Sequence, residues 1–314
     1  MRQLPNKNEF RSRESTATGN PPTGEKPANA AGGRAELPPY NGRMPQRVPF
    51  LAIVLGSLLL LAGLAFLLYR EVQPQSESPA TPLVVYCAAA LKPAMQAVAA
   101  EYERETGVPV EFRFGNSEHV LSSAAFSREG DLFLPADDSY VRLAEGRGLV
   151  EESFPLARMR AVALTRPGNP RGIVKFEDLL KSDLKLGQAN PDAAAIGKVT
   201  RDHLQKSGHW KALAGNTLVY HTTVTDAANA VLAGSNDAAI VWDAVAANYP
   251  TLAVVKLPEL DGATGRVELA VLKSATDREA AFRFARFIRA SDRGQQAFRS
   301  AGFTDLEPSV KWTP

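Results

Sequence analysis

The sequence contains a single cysteine, Cys87, among its 314 residues. One cysteine excludes an internal disulfide framework and a cysteine-rich metal site. The chain also has no P-loop, no glycine-rich dinucleotide fingerprint, no H-E-x-x-H and no nucleophile elbow. Its four histidines are scattered, without the spacing of metal ligands. We therefore expect no catalytic residue, no bound metal and no cofactor.

Most of the chain has no excess of basic residues over acidic ones. Residues 1–47 carry eight Lys/Arg and four Asp/Glu, whereas residues 71–314 carry 27 Lys/Arg against 30 Asp/Glu. The basic excess is therefore confined to the N-terminal segment, and the body of the protein is slightly acidic. Nucleic-acid-binding domains usually present a basic face. We expect no nucleic-acid partner.

The first 82 residues divide into three segments of different composition. Residues 1–47 are polar and rich in Pro and Gly, which is typical of a disordered tail. Residues 48–69 are 22 uncharged, mainly apolar residues, and roughly 20 such residues span a bilayer as a helix. Residues 70–82 are a polar, Pro-rich linker.

The 48–69 segment is predicted to be a single membrane anchor. A cleaved signal peptide fits less well, because the charged region before it is too long and no small-residue cleavage site follows. The basic excess before the span predicts a cytoplasmic tail and a following domain outside the cytoplasm. The sequence thus predicts a single-pass inner-membrane protein whose folded domain lies in the periplasm.

From residue 83 onward, strand and helix patterns alternate. Short apolar strands are predicted at 83–87, 108–114, 131–134, 161–165, 184–188, 217–221, 238–242, 252–256 and 267–272. Helices are predicted between them at 117–127, 138–146, 196–206 and 225–232, with a further helix near the C-terminus. This alternation indicates an α/β architecture with parallel sheets, and its length is sufficient for two lobes.

Several predicted strands end in a tight turn of small or hydroxyl residues that opens a helix. The first is residues 83–95, where an apolar strand is followed by three alanines and then by Pro93 in the first helical turn. Residues 114–117, 190–197, 222–226 and 240–243 repeat the pattern. Helix N-termini at the carboxyl ends of strands favour anions. If these turns converge, they form a cavity lined by N–H donors.

A catalytic dyad and a cation site are two other kinds of site that the sequence could contain. Cys87 with a histidine could form a catalytic dyad, but a cysteine at the end of an apolar strand is usually a small buried hydrophobe. Asp131, Asp137 and Asp138 could suggest a cation site, but Asp137 or Asp138 is better placed to cap the helix that follows.

Four motifs in this order resemble a known family. They are V-Y-C-A-A-A-L at 85–91, G-D-L-F-L-P-A-D at 130–137, N-P-D at 190–192 followed by Gly197, and A-A-I-V-W at 238–242. The end of the chain, from Gln295 to Phe303, fits as well. Residues 83–303 resemble the periplasmic molybdate-binding protein of ABC transporters, which has a type II solute-binding fold.

The resemblance implies a two-lobed α/β fold with a central cleft. One lobe would comprise residues 83–158 and 255–314, and the other residues 159–254. The protein would capture a tetrahedral oxyanion such as molybdate or tungstate, as a monomer, for an ABC transporter permease.

The resemblance also places the family's ligand-binding positions on this chain. The two serines of the family fall on Ala90 and Ser117, the amide donors on Ile196 and Val224, and the tyrosine on Trp242. Two of the three side-chain donors are therefore replaced. Lys92 and Asn116 are nearby polar residues that could supply other donors.

Two alternative functions remain open from the sequence. The bound anion could be phosphate, sulfate or a carboxylate, because the replacements alter the donor set. The protein could also be a membrane-anchored sensor, since a cytoplasmic tail of 47 residues is unusual for a protein that only feeds a transporter.

Overall fold

The computed structural model describes residues 50–72, 81–127 and 129–313. The chain divides into two units, Met1–Pro74 and Gln75–Pro314, and the described part of the first is helix α1, Phe50–Val72. Within it, Leu51–Leu68 is long and apolar enough to cross a membrane. The helix extends three residues beyond the predicted span. The predicted tail, and residues 73–80 of the predicted linker, lie outside the described residues.

The second unit is built from ten strands and nine further α-helices within the described residues. The strands are β1 Leu83–Ala88, β2 Val110–Gly115, β3 Leu132–Leu134, β4 Val150–Thr165, β5 Leu186–Ala189, β6 Thr217–His221, β7 Ala238–Trp242, β8 Ala253–Val255, β9 Thr264–Leu272 and β10 Asp305–Leu306. The helices are α2 Lys92–Thr106, α3 Ser117–Ser127, α4 Asp138–Gly146, α5 Ala195–Lys206, α6 Trp210–Asn216, α7 Val224–Leu232, α8 Asp243–Ala246, α9 Arg278–Arg289 and α10 Gly294–Ser300. The predictions of α3, α4, β6 and β7 are confirmed at both ends.

The strands form two halves that share β4. In the first half the strand order is β2-β1-β3-β9-β4, with β10 added to β4. In the second half it is β4-β7-β5-β6, with β8 also on β4. The strand β4 pairs with β9 through Arg160 and with β7 from Ala161 onward. One continuous strand therefore joins the two halves.

The prediction of parallel sheets is wrong for part of each half. β1 pairs parallel to β2 and β3, and β5 pairs parallel to β6 and β7. Both β4 and β9 run antiparallel to their neighbours. The predicted strand at 161–165 is also too short, since β4 begins at Val150. Exposed charged residues, including Glu151, Glu152 and Arg160, interrupt the apolar run and conceal the start of the strand.

Local capping explains why the helices begin where they do. Asp137 accepts a hydrogen bond from the Ser139 N–H and caps α4, as predicted. In α7, Thr223 and Asp226 form a reciprocal capping box. Pro93 occupies the first turn of α2, where no intrahelical N–H partner is required.

One part of the core of the first half lies between its sheet and helices α2 and α9. Met95, Val98 and Tyr102 on α2 are fully buried, as the helical spacing predicts. The Tyr102 ring lies 4.6 Å from that of Phe284 and 5.1 Å from that of Phe287, both on α9. The packing of α2 against α9 therefore supports the sheet edge at which β1 ends.

Candidate ligand-binding site

Six strand-to-helix turns meet at one cavity between the two halves. The turns follow β1, β2, β3, β5, β6 and β7, and the cavity volume is about 20 Å³. This inner cavity is lined by small or neutral residues: Ala88, Ala89, Ala90, Gly115, Asn116, Ser117, Ala136, Ala194, Ala195, Ile196, Thr223, Val224 and Trp242. The convergence of these turns follows from the parallel strands of each half, because their carboxyl ends meet at one edge.

The structure brings all five sequence-predicted site residues to this cavity. Ala90, Ser117, Ile196, Val224 and Trp242 each form part of its lining. They come from two turns of the first half and three of the second, separated by up to 152 positions along the chain. Their role in ligand binding remains a prediction.

Two helix N-termini lie at the cavity. Ile196 is the second residue of α5 and Val224 is the first residue of α7. The first N–H groups of a helix have no intrahelical acceptor, and the helix dipole places partial positive charge there. No side chain caps α5. These two helix ends can therefore donate hydrogen bonds to an anion.

Ser117 supplies a buried hydroxyl. Only 2% of the residue is exposed, and its Oγ accepts a hydrogen bond from the Ala136 N–H at 3.2 Å. Because that contact uses an oxygen lone pair, the hydroxyl proton remains available to an acceptor. Ser117 can therefore act as a donor held in position by a backbone contact.

Trp242 presents a buried N–H that lacks an acceptor. The residue is fully buried, and Nε1 has no hydrogen-bond partner among the described residues. Leaving a buried donor without an acceptor costs about 1–3 kcal/mol of folding free energy. Such donors therefore usually have a hydrogen-bond partner. A ligand in the cavity could supply the missing acceptor.

Gly265 on β9 makes room for the Trp242 indole, and the sequence-based site did not include it. A Cβ at Gly265 would lie 2.8 Å from Cη2 of Trp242. A glycine inside a strand often marks such a close approach. That signal is present in the sequence, but it does not identify which side chain approaches.

The lining contains no ionisable side chain among the described residues. Both ends of the Asn116 amide are occupied, because Oδ1 accepts from the His119 N–H and Nδ2 donates to the Thr222 carbonyl. The Asn116 amide uses one of its two N–H groups in the contact with Thr222. Lys92 is not part of this lining. An anion in the inner cavity would therefore be held by neutral donors, which can include the other Asn116 N–H but not Lys92.

The two halves are hydrogen-bonded to each other beside the cavity. The Glu118 N–H on α3 donates to the Ala193 carbonyl at 3.1 Å, and the Tyr140 hydroxyl donates to the same carbonyl at 3.5 Å. Burial raises the pKa of Tyr140, which keeps this hydroxyl protonated. With the Asn116–Thr222 bond, these contacts hold the halves together over the cavity.

The three aspartates considered as cation ligands have structural roles. Asp131 accepts hydrogen bonds from the N–H groups of Val84 and Thr276, at 2.8 and 3.1 Å, and burial raises its pKa. Asp137 caps α4, and Asp138 pairs with Arg142 at 2.7 Å. Throughout the described ranges, no three His, Cys, Asp or Glu residues gather in a metal-binding arrangement.

Cys87 is fully buried on β1. Burial raises the pKa of its thiol, and Sγ contacts the Ala88 carbonyl at 3.5 Å. A thiol with a raised pKa is a poor nucleophile. The environment of Cys87 is that of a structural core residue.

Two α/β halves joined by a shared strand, with a donor-lined cavity between them, define a two-lobed solute-binding protein of type II. The chain belongs to the family of bacterial extracellular solute-binding proteins, whose model matches residues 83–304. This assignment confirms the fold that the sequence motifs predicted.

Individual relatives point to the same class. A putative binding protein of Haemophilus influenzae is 31% identical over 162 residues, which span 52% of this chain and 66% of that protein. The molybdate-binding protein ModA of Mycobacterium bovis is 28% identical over 237 residues, covering 73% of this chain and 88% of the relative. The periplasmic molybdate-binding protein of Azotobacter vinelandii superimposes with a TM-score of 0.62 at 18% identity, covering 72% of this chain and all of that one.

Proposed function

We propose that this protein captures a tetrahedral oxyanion, with molybdate and tungstate as the first candidates, and delivers it to an ABC transporter permease. The observation that carries the proposal is that Trp242, whose buried Nε1 is unpaired, lines a cavity at which helix N-termini meet. Neutral donors at fixed positions can stabilise a buried anion without a counter-ion. The molybdate-binding relatives support this choice of ligand.

The donor set of the inner cavity differs from that expected for a molybdate binder. Ala90 offers no hydroxyl, and Trp242 offers one N–H where the family pattern has a tyrosine. Phosphate, sulfate and a carboxylate therefore remain alternative ligands, and their affinities must be measured alongside that of molybdate.

The proposal places the binding domain outside the cytoplasm, anchored to the inner membrane by α1. The apolar character of Leu51–Leu68 supports the anchor, and the basic excess in residues 1–47 supports a cytoplasmic N-terminus. Residues 83–158 and 255–314 would move as one lobe and residues 159–254 as the other. Closure of a monomer around the anion would present one surface to the permease.

Calorimetry on the full chain in detergent would test the ligand. We expect molybdate and tungstate to bind more tightly than sulfate and phosphate. Equal affinity for all four anions would overturn the choice of molybdate, and binding of none would overturn the proposed function.

Ser117→Ala would test the site itself. Loss of its hydroxyl donor should weaken binding by about 1–3 kcal/mol. Ser122→Ala is the matched control, because Ser122 lies on the same helix but is exposed and donates to Glu118. Unchanged affinity in Ser117→Ala would remove Ser117 from the site.

A sensor is the second candidate function. The length of the segment before α1, which exceeds what an anchor requires, favours it. Deletion of residues 2–40 should leave anion uptake by cells intact if the protein serves only transport. A loss of an anion-dependent transcriptional or enzymatic response, with uptake retained, would favour the sensor.

A further inference from the structure

A second and larger cavity adjoins the inner cavity. This outer chamber has a volume of about 290 Å³ and lies between the start of α2, the start of α7 and the segment that follows α8. The two cavities share four lining residues: Ala89, Ala90, Gly115 and Thr223. The outer chamber therefore begins where the inner cavity ends.

The shared boundary is made almost entirely of small residues. Two of the four residues have only a methyl side chain, and Gly115 has none. Ala90 is the position at which the resemblance expects a serine, so the opening between the two cavities is wider here by the space of one hydroxyl. A group attached to an anion in the inner cavity could extend past this boundary.

The outer chamber, unlike the inner cavity, contains charged side chains. The Lys92 ammonium lies 5.3 Å from the centre of the Phe114 ring, and it has no ion-pair partner among the described residues. The Asp226 carboxylate already accepts hydrogen bonds from the Thr223 N–H and hydroxyl, at 3.0 and 2.8 Å.

Two further polar side chains of the chamber, those of Tyr249 and Asn248, are also engaged. The Tyr249 hydroxyl donates to Asn229 at 2.8 Å. The Asn248 amide nitrogen donates to the carbonyls of Ala244 and Ala301. Lys92 is therefore the group best able to attract a further ligand charge into this chamber.

We propose that the ligands of this protein include small organic monoesters of a tetrahedral oxyanion that carry a second negative charge. The tetrahedral group would occupy the inner cavity, the ester link would pass Ala90, and the second charge would lie near Lys92. This inference rests on the proposed oxyanion-binding function of the inner cavity.

Calorimetry on the full chain in detergent would compare inorganic phosphate, ethyl phosphate and phosphoglycolate. Phosphate probes the inner cavity alone, ethyl phosphate adds an uncharged substituent, and phosphoglycolate adds a carboxylate. We expect phosphoglycolate to bind at least about tenfold more tightly than phosphate, because charge-assisted contacts contribute that much. Ethyl phosphate should lie between them.

Lys92→Gln should lower the affinity for phosphoglycolate about tenfold more than it lowers the affinity for ethyl phosphate. Both esters carry the phosphate group, so a general effect of the lost charge on phosphate binding lowers both affinities. The difference between the two losses therefore reports the contact between Lys92 and the carboxylate. Lys211→Gln is the matched control, because Lys211 is an exposed lysine on α6, outside both cavities. Equal losses for the two esters in Lys92→Gln would overturn the role of Lys92.

The outcomes separate this inference from the proposed function. If inorganic oxyanions bind and the esters bind no more tightly than phosphate, the outer chamber is not a ligand site and the proposed function stands. If neither inorganic oxyanions nor esters bind, the proposed function fails as well.

Discussion

Asn116 donates a hydrogen bond from Nδ2 to the carbonyl of Thr222, at 3.2 Å, across 106 positions of the chain. Asn116 lies between β2 and α3 in the first half, and Thr222 lies between β6 and α7 in the second. The same side chain caps α3 through Oδ1. Asn116 therefore connects the start of a helix at the inner cavity to the opposite half.

Asn116→Ser should separate these two roles. Serine retains a helix-capping oxygen but is too short to reach Thr222. We expect its anion affinity to fall about tenfold, since the closed form loses one hydrogen bond between the halves. Small-angle X-ray scattering at a subsaturating concentration of anion should show a larger radius of gyration than that of the native chain. The melting temperature should stay near that of the native chain. Asn116→Ala, which also loses the cap, should melt lower, and an unaltered affinity in both variants would contradict the role in closure.

Trp242→Phe should weaken anion binding. Phenylalanine preserves an aromatic ring but removes the Nε1 donor and the far edge of the indole, which faces Gly265. We expect a loss of about 1–3 kcal/mol in binding, measured by calorimetry. In the absence of anion, the void left at this fully buried position should lower the melting temperature, and removal of a buried donor without a partner should offset part of that loss. Trp312→Phe, on the C-terminal segment beside Phe287, is the control and should bind normally. Native affinity in Trp242→Phe would show that Nε1 does not contact the ligand.

Gly197→Ala should impair both stability and binding. A Cβ at Gly197 would lie 2.3 Å from the Ala189 carbonyl oxygen, so the first turn of α5 would have to move away from β5. Overpacking of this kind costs about 1–3 kcal/mol, and the displaced Ile196 N–H should lower anion affinity as well. Thermal unfolding and calorimetry would measure the two effects.

Gly215→Ala is the control for this substitution. Gly215 also lies in a helix, and a Cβ there meets nothing within 4 Å. Alanine is the better helix former, so this variant should be at least as stable as the native chain. The prediction fails if Gly197→Ala behaves in the same way.

Asp178 should make the stability of the second half depend on acid pH. Its carboxylate interacts with the Lys181 ammonium at 2.8 Å and accepts hydrogen bonds from the N–H groups of Val174 and Lys175. These contacts lower its pKa from 3.8 to about 2. Because the folded state favours the ionised form, the stabilisation is complete above the unfolded pKa and is lost as the pH falls through the folded value.

Asp178→Asn tests this dependence by thermal unfolding at several pH values. The variant should melt below the native chain at neutral pH, and the difference should shrink between about pH 4 and pH 2. Asp261→Asn, at an exposed position, is the control and should follow the native chain. A difference that stays constant with pH would contradict the assignment to Asp178.

Local patterns in the sequence located the elements but not their long-range pairing. The bounds of α3 and β7 were predictable, because a helix start and a continuous apolar run are local signals. The length of β4 was not, since its charged first half is strand only because β9 pairs with it. The insertion of β9 between β3 and β4 has no local signal at all.

The candidate site likewise combines residues that the sequence could identify with features that depend on long-range packing. Ser117, Ile196 and Trp242 could be identified because the resemblance carries the family's ligand-binding positions onto them, and local patterns place them at predicted helix starts and at a strand end. The fit of Gly265 against Trp242 and the outer chamber beside Lys92 depend on packing between distant segments. Neither could be obtained from residue spacing.

The position of β9 also constrains the order in which the domain can be completed. In the first half β9 lies between β3 and β4, although the chain reaches it only after the whole second half has been made. Until residues 264–272 are available, the middle of that sheet lacks a strand, and β3 and β4 each expose an unpaired edge. Such edges attract other chains. Prematurely terminated chains that stop before Thr264 should therefore aggregate or be degraded, even though they contain every residue that lines the inner cavity.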